Sequence, residues 1–150
     1  CYLIGAGISK EGKEFQTLQA ALNAGINTHL SSSMGRLFDA VSALLEIRSR
    51  NSYEGEAAIA LENTAAAYAQ KGGKPYPLSF QIRQSREGIL ADQRGLIQDL
   101  WQARQSGVET GALALGFHRA VAERQVRCAH GVGGRYDLVG KQRADGAGCL

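Results

Sequence analysis

The sequence predicts a mainly helical α+β domain, and two observations carry this prediction. First, apolar residues recur in five stretches at the 3.6-residue spacing that is typical of amphipathic helices. These stretches are residues 14–24, 31–45, 57–70, 92–105 and 109–127. Second, Leu78–Ile82 alternates apolar and polar residues, as a half-buried strand does. With 150 residues, of which 44% are hydrophobic, the chain is long enough to bury a core in one domain.

Composition excludes several classes of function. A net charge of +3 without a Lys/Arg cluster gives no support for nucleic-acid binding. The three cysteines, Cys1, Cys128 and Cys149, lack zinc-ligand spacing and favour a reducing, cytoplasmic compartment. The three histidines also lack metal-ligand spacing, so we predict no metal site. There is no apolar run of about 18 residues, so no membrane span is predicted.

The stretch from Ser31 to Leu45 is the most informative one. Its three opening serines are expected to cap a helix, because serine oxygens accept hydrogen bonds from the first N–H groups. A single apolar stripe follows, formed by Met34, Leu37, Phe38, Val41, Leu44 and Leu45. The sequence therefore predicts a helix with one buried face.

Two residues of this stretch do not fit a purely structural helix. Gly35 lies in the first turn, where glycine costs about 1 kcal/mol relative to alanine. Asp39 follows one turn later, away from the helix start that favours a carboxylate. Glycine allows a ligand to approach the backbone, and the carboxylate can accept hydrogen bonds from ligand hydroxyls. The alternative is a capped core helix with an exposed aspartate.

Glycine and aspartate residues mark the ends of the other predicted helices. Gly25 ends the helix that begins at Glu14, and Gly107 ends the helix that Asp92 is expected to cap. The alanine-rich helix 57–70 suits either close approach to another helix or packing on a sheet. Lys71–Pro77 is predicted to be a loop because of its glycines and prolines.

Other candidate motifs have simpler alternatives. Glu54 and Glu56 flank Gly55 before a helix, where first-turn acids favour the dipole. Gly131, Gly133 and Gly134 lack the spacing of a phosphate loop. The serines at 31–33 lack the GxSxG pattern of a nucleophile elbow.

Longer motifs resemble the HypF-type carbamoyltransferases that mature nickel–iron hydrogenases. The first is Gly25-Ile-Asn-Thr-His-Leu-Ser-Ser-Ser-Met-Gly-Arg-Leu-Phe-Asp-Ala-Val-Ser-Ala-Leu-Leu45, and the second is Tyr53-Glu-Gly-Glu-Ala-Ala-Ile-Ala-Leu-Glu62. The match continues in the same order through about residue 125, in Tyr76–Phe80, Gly88–Leu90, Arg94–Ile97 and Gly116–Val121.

The resemblance implies the second lobe of an actin-like ATPase domain, in which two lobes enclose a nucleotide cleft. It implies that ATP forms a carbamoyl adenylate from carbamoyl phosphate, and that the carbamoyl group passes to the C-terminal cysteine of the partner HypE. On this sequence it makes Gly35 and Asp39 the nucleotide-binding residues, with Asp39 accepting the ribose hydroxyls. It also makes Ser33 and the segment Tyr53, Glu54, Gly55 and Glu56 candidate cleft-lining residues.

The resemblance also has limits. The family's N-terminal domains and the metal-binding motif of its first lobe do not occur in this sequence, so we expect the chain to be inactive alone and to need those parts as partners. We expect a partial domain over residues 1–127, followed by a divergent glycine-rich tail over 128–150. A reading-frame shift near Arg127 is one hypothesis for that tail. The alternatives are a non-catalytic helical interaction module and a segment of a tRNA threonylcarbamoyl-transferase relative.

Overall fold

A computed structural model of the chain describes residues 2–8, 12–26, 33–85 and 88–130, and these form six helices and one two-stranded sheet. The elements are α1 (Tyr2–Gly5), α2 (Lys13–Asn23), α3 (Met34–Leu44), α4 (Glu56–Gln70), β1 (Gln81–Ser85), β2 (Gly88–Asp92), α5 (Arg94–Gln105) and α6 (Thr110–His130). The predicted mainly helical α+β class is confirmed.

The core lies where α4 packs on α6 and α3 packs on α4. The predicted apolar stripes supply it. Leu37 and Val41 of α3, Leu61 of α4 and Leu113 and Phe117 of α6 are all almost fully buried. Helix α5 adds Leu96, Ile97 and Leu100, and it holds α1 through a hydrogen bond of 2.6 Å from Gln98 Nε2 to the Ala6 carbonyl.

Helices α4 and α6 approach closely because small residues line their contact. A Cβ atom at Gly111 of α6 would lie only 2.7 Å from the side chain of Tyr68 on α4. The same tyrosine ring covers Gly73, just after α4. Ala65 of α4 and Ala114 of α6 are buried. Of the two arrangements that the alanine-rich sequence of α4 suits, the structure shows close approach to another helix.

The extended segment after α4 docks on α6, and here the strand prediction needs correction. The backbone N–H of Tyr76 donates to the carbonyl of Ala112, 3.0 Å away, and Leu78 and Phe80 are buried. The strand predicted at 78–82 begins only at Gln81, where β1 pairs antiparallel with β2. The alternation at 78–80 therefore comes from docking on a helix and not from a sheet ladder.

Helix ends mostly follow the prediction. Gly25 after α2 and Gly107 after α5 have φ values of +67° and +80°, as glycines that end helices often do. Asp92 Oδ1 accepts a hydrogen bond of 2.9 Å from the N–H of Arg94 at the start of α5. The predicted loop at 71–77 is also present.

Helix α3 ends without a glycine. Glu46 has φ +56°, and the N–H of Ile47 bonds back to the Ser42 carbonyl at 3.0 Å. Arg104 of α5 supports this end, because it donates to the Leu44 carbonyl at 2.5 Å and pairs with Glu46 at 2.6 Å. A cation is favoured at a helix C-terminus.

Helix α2 differs from the other long helices because none of its residues is buried. Its predicted apolar face consists of Phe15, Leu18 and Leu22, and 51% of Leu18 is exposed. Ile26, just beyond the helix, is 59% exposed. The pattern therefore predicted the helix correctly, but its apolar face lacks a buried contact within the described part of the chain.

The predicted boundary at residues 127/128 falls within α6, and residues 131–150 lie outside the described ones. The division into domain and tail thus stays a prediction. Within the ranges that the structure describes, no helix is long and apolar enough to cross a membrane.

Candidate functional site

The candidate site begins at the N-terminus of α3. Ser33 is the N-cap residue, in an extended conformation, but its side chain makes no capping hydrogen bond. The predicted side-chain capping is therefore wrong at this residue, although Ser33 does occupy the N-cap position. Ser31 and Ser32 lie outside the described residues.

Gly35 lies exposed in the first turn of α3, and none of the residues that the structure describes packs closely enough to require glycine there. Its φ is not positive, and among those residues a Cβ atom would meet the Ser33 hydroxyl at an ordinary van der Waals distance. By contrast, a Cβ at Gly111 or Gly116 would clash with Tyr68 or Tyr76. Gly35 therefore leaves an open approach to the backbone of α3 without a packing reason for it.

Asp39 lies one turn after Gly35, on the same side of α3, and is half-buried. Its Oδ1 atom accepts a hydrogen bond of 3.3 Å from Asn51 Nδ2. Among the residues that the structure describes, this is the only hydrogen bond recorded for its carboxylate. The other oxygen, Oδ2, is left to accept a donor from outside.

Asn51 also connects Asp39 to the start of α4. Its Oδ1 atom accepts a hydrogen bond of 3.0 Å from the backbone N–H of Ala57, in the first turn of α4. Gly55, the residue before α4, has φ +82°, which glycine adopts without strain. One amide side chain thus contacts both the carboxylate on α3 and a free N–H group of α4.

Glu56 is bound within the loop that precedes α4. Its Oε2 atom accepts hydrogen bonds from the N–H of Ser52 at 2.6 Å and from the Ser52 hydroxyl at 2.9 Å. Its Oε1 atom pairs with Arg48. The backbone hydrogen bond from Ser52 is the main cause that lowers the pKa of Glu56, against the opposing effect of burial. Glu56 therefore organises the loop, and a cleft-lining role for it stays a prediction.

The neighbouring candidates face outward. Tyr53 is 56% exposed, Glu54 is exposed, and Gly55 is half-buried. The structure places Gly35 and Asp39 on α3, and Asn51 links Asp39 to Ala57, the residue directly after the Tyr53–Glu56 segment. The site can offer a carboxylate acceptor, an open backbone and an exposed aromatic ring.

Sequence reasoning missed three residues of this arrangement: Arg48, Asn51 and Ser52. The basic residues Arg48 and Arg50 indicate only a helix end, because cations favour a helix C-terminus, and they do not point to Asn51 or Ser52. An Asn-Ser pair shortly before a helix is a capping signal, and that signal could have identified Asn51 and Ser52.

The described residues hold no group of three or more His, Cys, Asp or Glu side chains that could bind a metal ion. His118 packs within the fold. Its Nδ1 atom lies 2.9 Å from the Ala114 carbonyl oxygen, and its ring packs edge-on against Phe38 and Phe117.

Comparison with known proteins shows which sequences and folds the chain resembles. A HypF family model described as "Carbamoyltransferase, Kae1-like Domain, second subdomain" matches residues 4–139. A carbamoyltransferase HypF homolog of Cupriavidus necator is 36% identical over 138 residues, which are 90% of this chain and 34% of that protein. The carbamoyltransferase HypF of Rhodobacter capsulatus is 67% identical over 43 residues, or 28% of this chain and 6% of that protein.

A solved structure shares the fold. It is the crystal structure of full-length HypF in the phosphate- and nucleotide-bound form, and it matches with a TM-score of 0.62 and 23% identity. The match covers 87% of this chain and 20% of that one. The chain thus spans about a third or less of the proteins it matches.

The family match covers most of the chain, and the predicted second lobe of an actin-like ATPase domain agrees with the matched subdomain and the shared fold. The chain belongs to the HypF carbamoyltransferase family, in which it corresponds to the second subdomain of the Kae1-like domain.

Proposed function

We propose that this chain supplies one side of the nucleotide cleft of a HypF-type carbamoyltransferase. In the whole enzyme, a carbamoyl group taken from carbamoyl phosphate would be carried as carbamoyl adenylate and passed to the C-terminal cysteine of HypE. The chain would act with the N-terminal parts of HypF in the cytoplasm, without nucleic acid or membrane as partners.

The observation that supports this proposal most directly is the pair Gly35 and Asp39. Gly35 opens the backbone of α3 without a packing reason, and Asp39 presents a carboxylate oxygen one turn away. Ribose hydroxyls are donors that such a carboxylate can accept. Close approach over a glycine would let the sugar reach it.

Thermal unfolding with and without millimolar ATP tests the proposal. A ligand that binds only the native state raises the melting temperature by mass action. We expect ATP to raise the melting temperature of the unmodified chain and to have little effect on Asp39→Ala. Asp99→Ala, which changes an exposed carboxylate on α5, is the matched control and should retain the ATP response.

A cooperative unfolding transition whose melting temperature does not change with ATP would contradict nucleotide binding by this chain.

We also expect no turnover when the chain alone is assayed for carbamoyl transfer to HypE. Stabilising an adenylate and its transition state needs positioned donors or a metal around the phosphate and carbamoyl oxygens. The described residues offer no metal cluster for this purpose. Turnover by the chain alone would refute that expectation.

One observation favours the alternative of a helical interaction module. Helix α2 buries none of its residues, and Leu18 and Ile26 are more than half exposed. Apolar side chains that lie together on a surface often mark a protein contact. An interaction module would unfold cooperatively, ignore ATP, and lose partner binding when these side chains are made polar.

A further inference from the structure

We propose that Asn51 is a positioning residue for the nucleotide-binding carboxylate, holding Asp39 by one oxygen so that the other can accept the ribose hydroxyls. This inference rests on the proposed nucleotide binding and adds a residue to that site. It follows from two hydrogen bonds made by opposite ends of one amide.

The amide of Asn51 is fixed at both ends. Its Oδ1 atom accepts from the N–H of Ala57 at 3.0 Å, so its Nδ2 atom must be the group that faces Asp39, 3.3 Å away. The hydrogen bond to α4 therefore sets which atom of Asn51 meets the carboxylate. Because α3 and α4 pack together, this orientation is held by the core.

Holding one oxygen has a consequence for binding. An aspartate side chain that turns freely loses conformational entropy when it binds a ligand, and a side chain that is already oriented loses less. Asn51 also leaves Asp39 its charge, since an amide is neutral. It thus positions the acceptor without competing for Oδ2.

The loop around Asn51 is braced separately. Ser52 and Arg48 bind Glu56, and none of these contacts involves Asp39. A change at Asn51 that preserves the bond to Ala57 should therefore leave the loop and α4 in place. Asn51→Asp is such a change, because aspartate is a good capping residue and favours the positive end of a helix.

The test compares the ATP-induced rise in melting temperature between variants of the whole chain. In Asn51→Asp a carboxylate replaces the donor that faces Asp39, and two like charges repel. We expect apparent ATP affinity to fall about tenfold or more, which is typical when a hydrogen bond to a charged group is lost. Asn63→Asp adds the same charge at an exposed position on α4 and should keep the full response.

The same substitution made in a chain that already carries Asp39→Asn distinguishes an effect on the position of Asp39 from a general effect on the loop. Asp39→Asn removes the charge at position 39, and because Asn51 holds the single oxygen left there, the NH2 group at position 39 faces outward; the weaker ATP binding is followed at higher ATP concentration. There the amide at 39 can donate to the carboxylate at 51. Asn51→Asp should therefore lower the affinity no further.

Each of the other possible results contradicts either the positioning role of Asn51 or the proposed nucleotide binding. If Asn51→Asp binds ATP as well as the unmodified chain does, while Asp39→Ala does not, the positioning role is refuted and nucleotide binding stands. If Asn51→Asp lowers affinity equally in the Asp39→Asn background, Asn51 acts only through the loop. If the unmodified chain shows no ATP response, the proposed function fails and this inference fails with it.

Discussion

At the residue scale, Gly35 differs from Gly111 and Gly116, because packing explains those two glycines and does not explain Gly35. At Gly111 and Gly116 the space for a Cβ is occupied by neighbouring atoms, so the fold explains the glycine. At Gly35 no atom of the described residues fills that space, and the backbone is not in the left-handed region that favours glycine. The remaining explanation for Gly35 is that it keeps the backbone of α3 accessible next to Asp39.

Gly35→Ala should therefore stabilise the fold and weaken ATP binding together. Alanine in a helix is favoured over glycine by up to about 1 kcal/mol, and a Cβ here meets no clash. We expect a slightly higher melting temperature without ATP and a smaller rise on adding ATP. Denaturant unfolding and ATP titration of the same sample check both parts. An unchanged ATP response would mean that no ligand approaches the backbone at this point.

The same residues show how far the sequence predicts the site. Gly35 and Asp39 stood out because each disagrees with an ordinary helix, and such disagreement is readable along the chain. Asn51 did not, because its partners are 12 and 6 residues away in sequence. A contact between two helices depends on how they pack, and helical periodicity fixes only which face is buried.

At the scale of elements, periodicity predicted the helices well and the sheet poorly. Apolar stripes set the buried faces of α3, α5 and α6, whereas the alternation at Leu78–Phe80 was misread as a strand. Residues i and i+2 of an extended chain point to the same side, so such a pair can be buried against a helix as well as within a sheet. Only the hydrogen bond from Tyr76 to Ala112 distinguishes the two, and it joins residues far apart in the sequence.

Gly116→Ala tests the docking of this extended segment on α6. The added Cβ would overlap the Tyr76 carbonyl oxygen and lie 3.1 Å from its carbon, and backbone atoms cannot turn aside as a side chain can. Overpacking of this kind typically costs about 1–3 kcal/mol. We expect a loss in the free energy of unfolding of about 2 kcal/mol or more in a urea titration.

Gly35→Ala serves as its matched control, since the same substitution there meets open space. If both variants were equally stable, the segment would not be held against α6 as the structure shows.

The start of α4 should depend on pH through Glu56. Hydrogen bonds from Ser52 and the ion pair with Arg48 favour the ionised carboxylate, so its pKa in the folded chain is below the ordinary value of 4.5. A lowered folded pKa means that the stabilisation is fully present above pH 4.5 and is lost as the pH falls through the folded pKa.

Urea unfolding of the unmodified chain and of Glu56→Gln at several pH values measures this effect. The unmodified chain should be the more stable near neutral pH, and the difference should shrink below pH 4.5. Glu62→Gln, at an exposed position of the same helix, should give a small difference at every pH. A difference for Glu56→Gln that does not change with pH would show that ionisation of Glu56 adds no stability.

At the scale of the whole molecule, the described chain combines a well-packed core with one helix outside it. Helices α3, α4, α5 and α6 contribute the largest buried side chains, whereas α2 contributes none. Substitutions on α2 should therefore hardly change the free energy of unfolding, since surface positions usually stay within about 0.5 kcal/mol. The exposed apolar side chains of α2 and its end are then free to act in association.

We expect the exposed apolar side chains of α2 and its end to cause self-association at high concentration, and Leu18→Gln combined with Ile26→Gln should reduce it without destabilising the chain. Leu18 and Ile26 are the two apolar side chains at α2 that are more than half exposed, and burying such surface between two copies is favourable at about 25 cal/mol per Å². We expect sedimentation at high concentration to show less oligomer for the double variant, at an unchanged melting temperature. Ile59→Gln, which removes an exposed isoleucine from α4, is the control and should leave the association unchanged. If Ile59→Gln dissociates the oligomer and the α2 variant does not, the associating surface lies on α4, and the apolar face of α2 has no part in it.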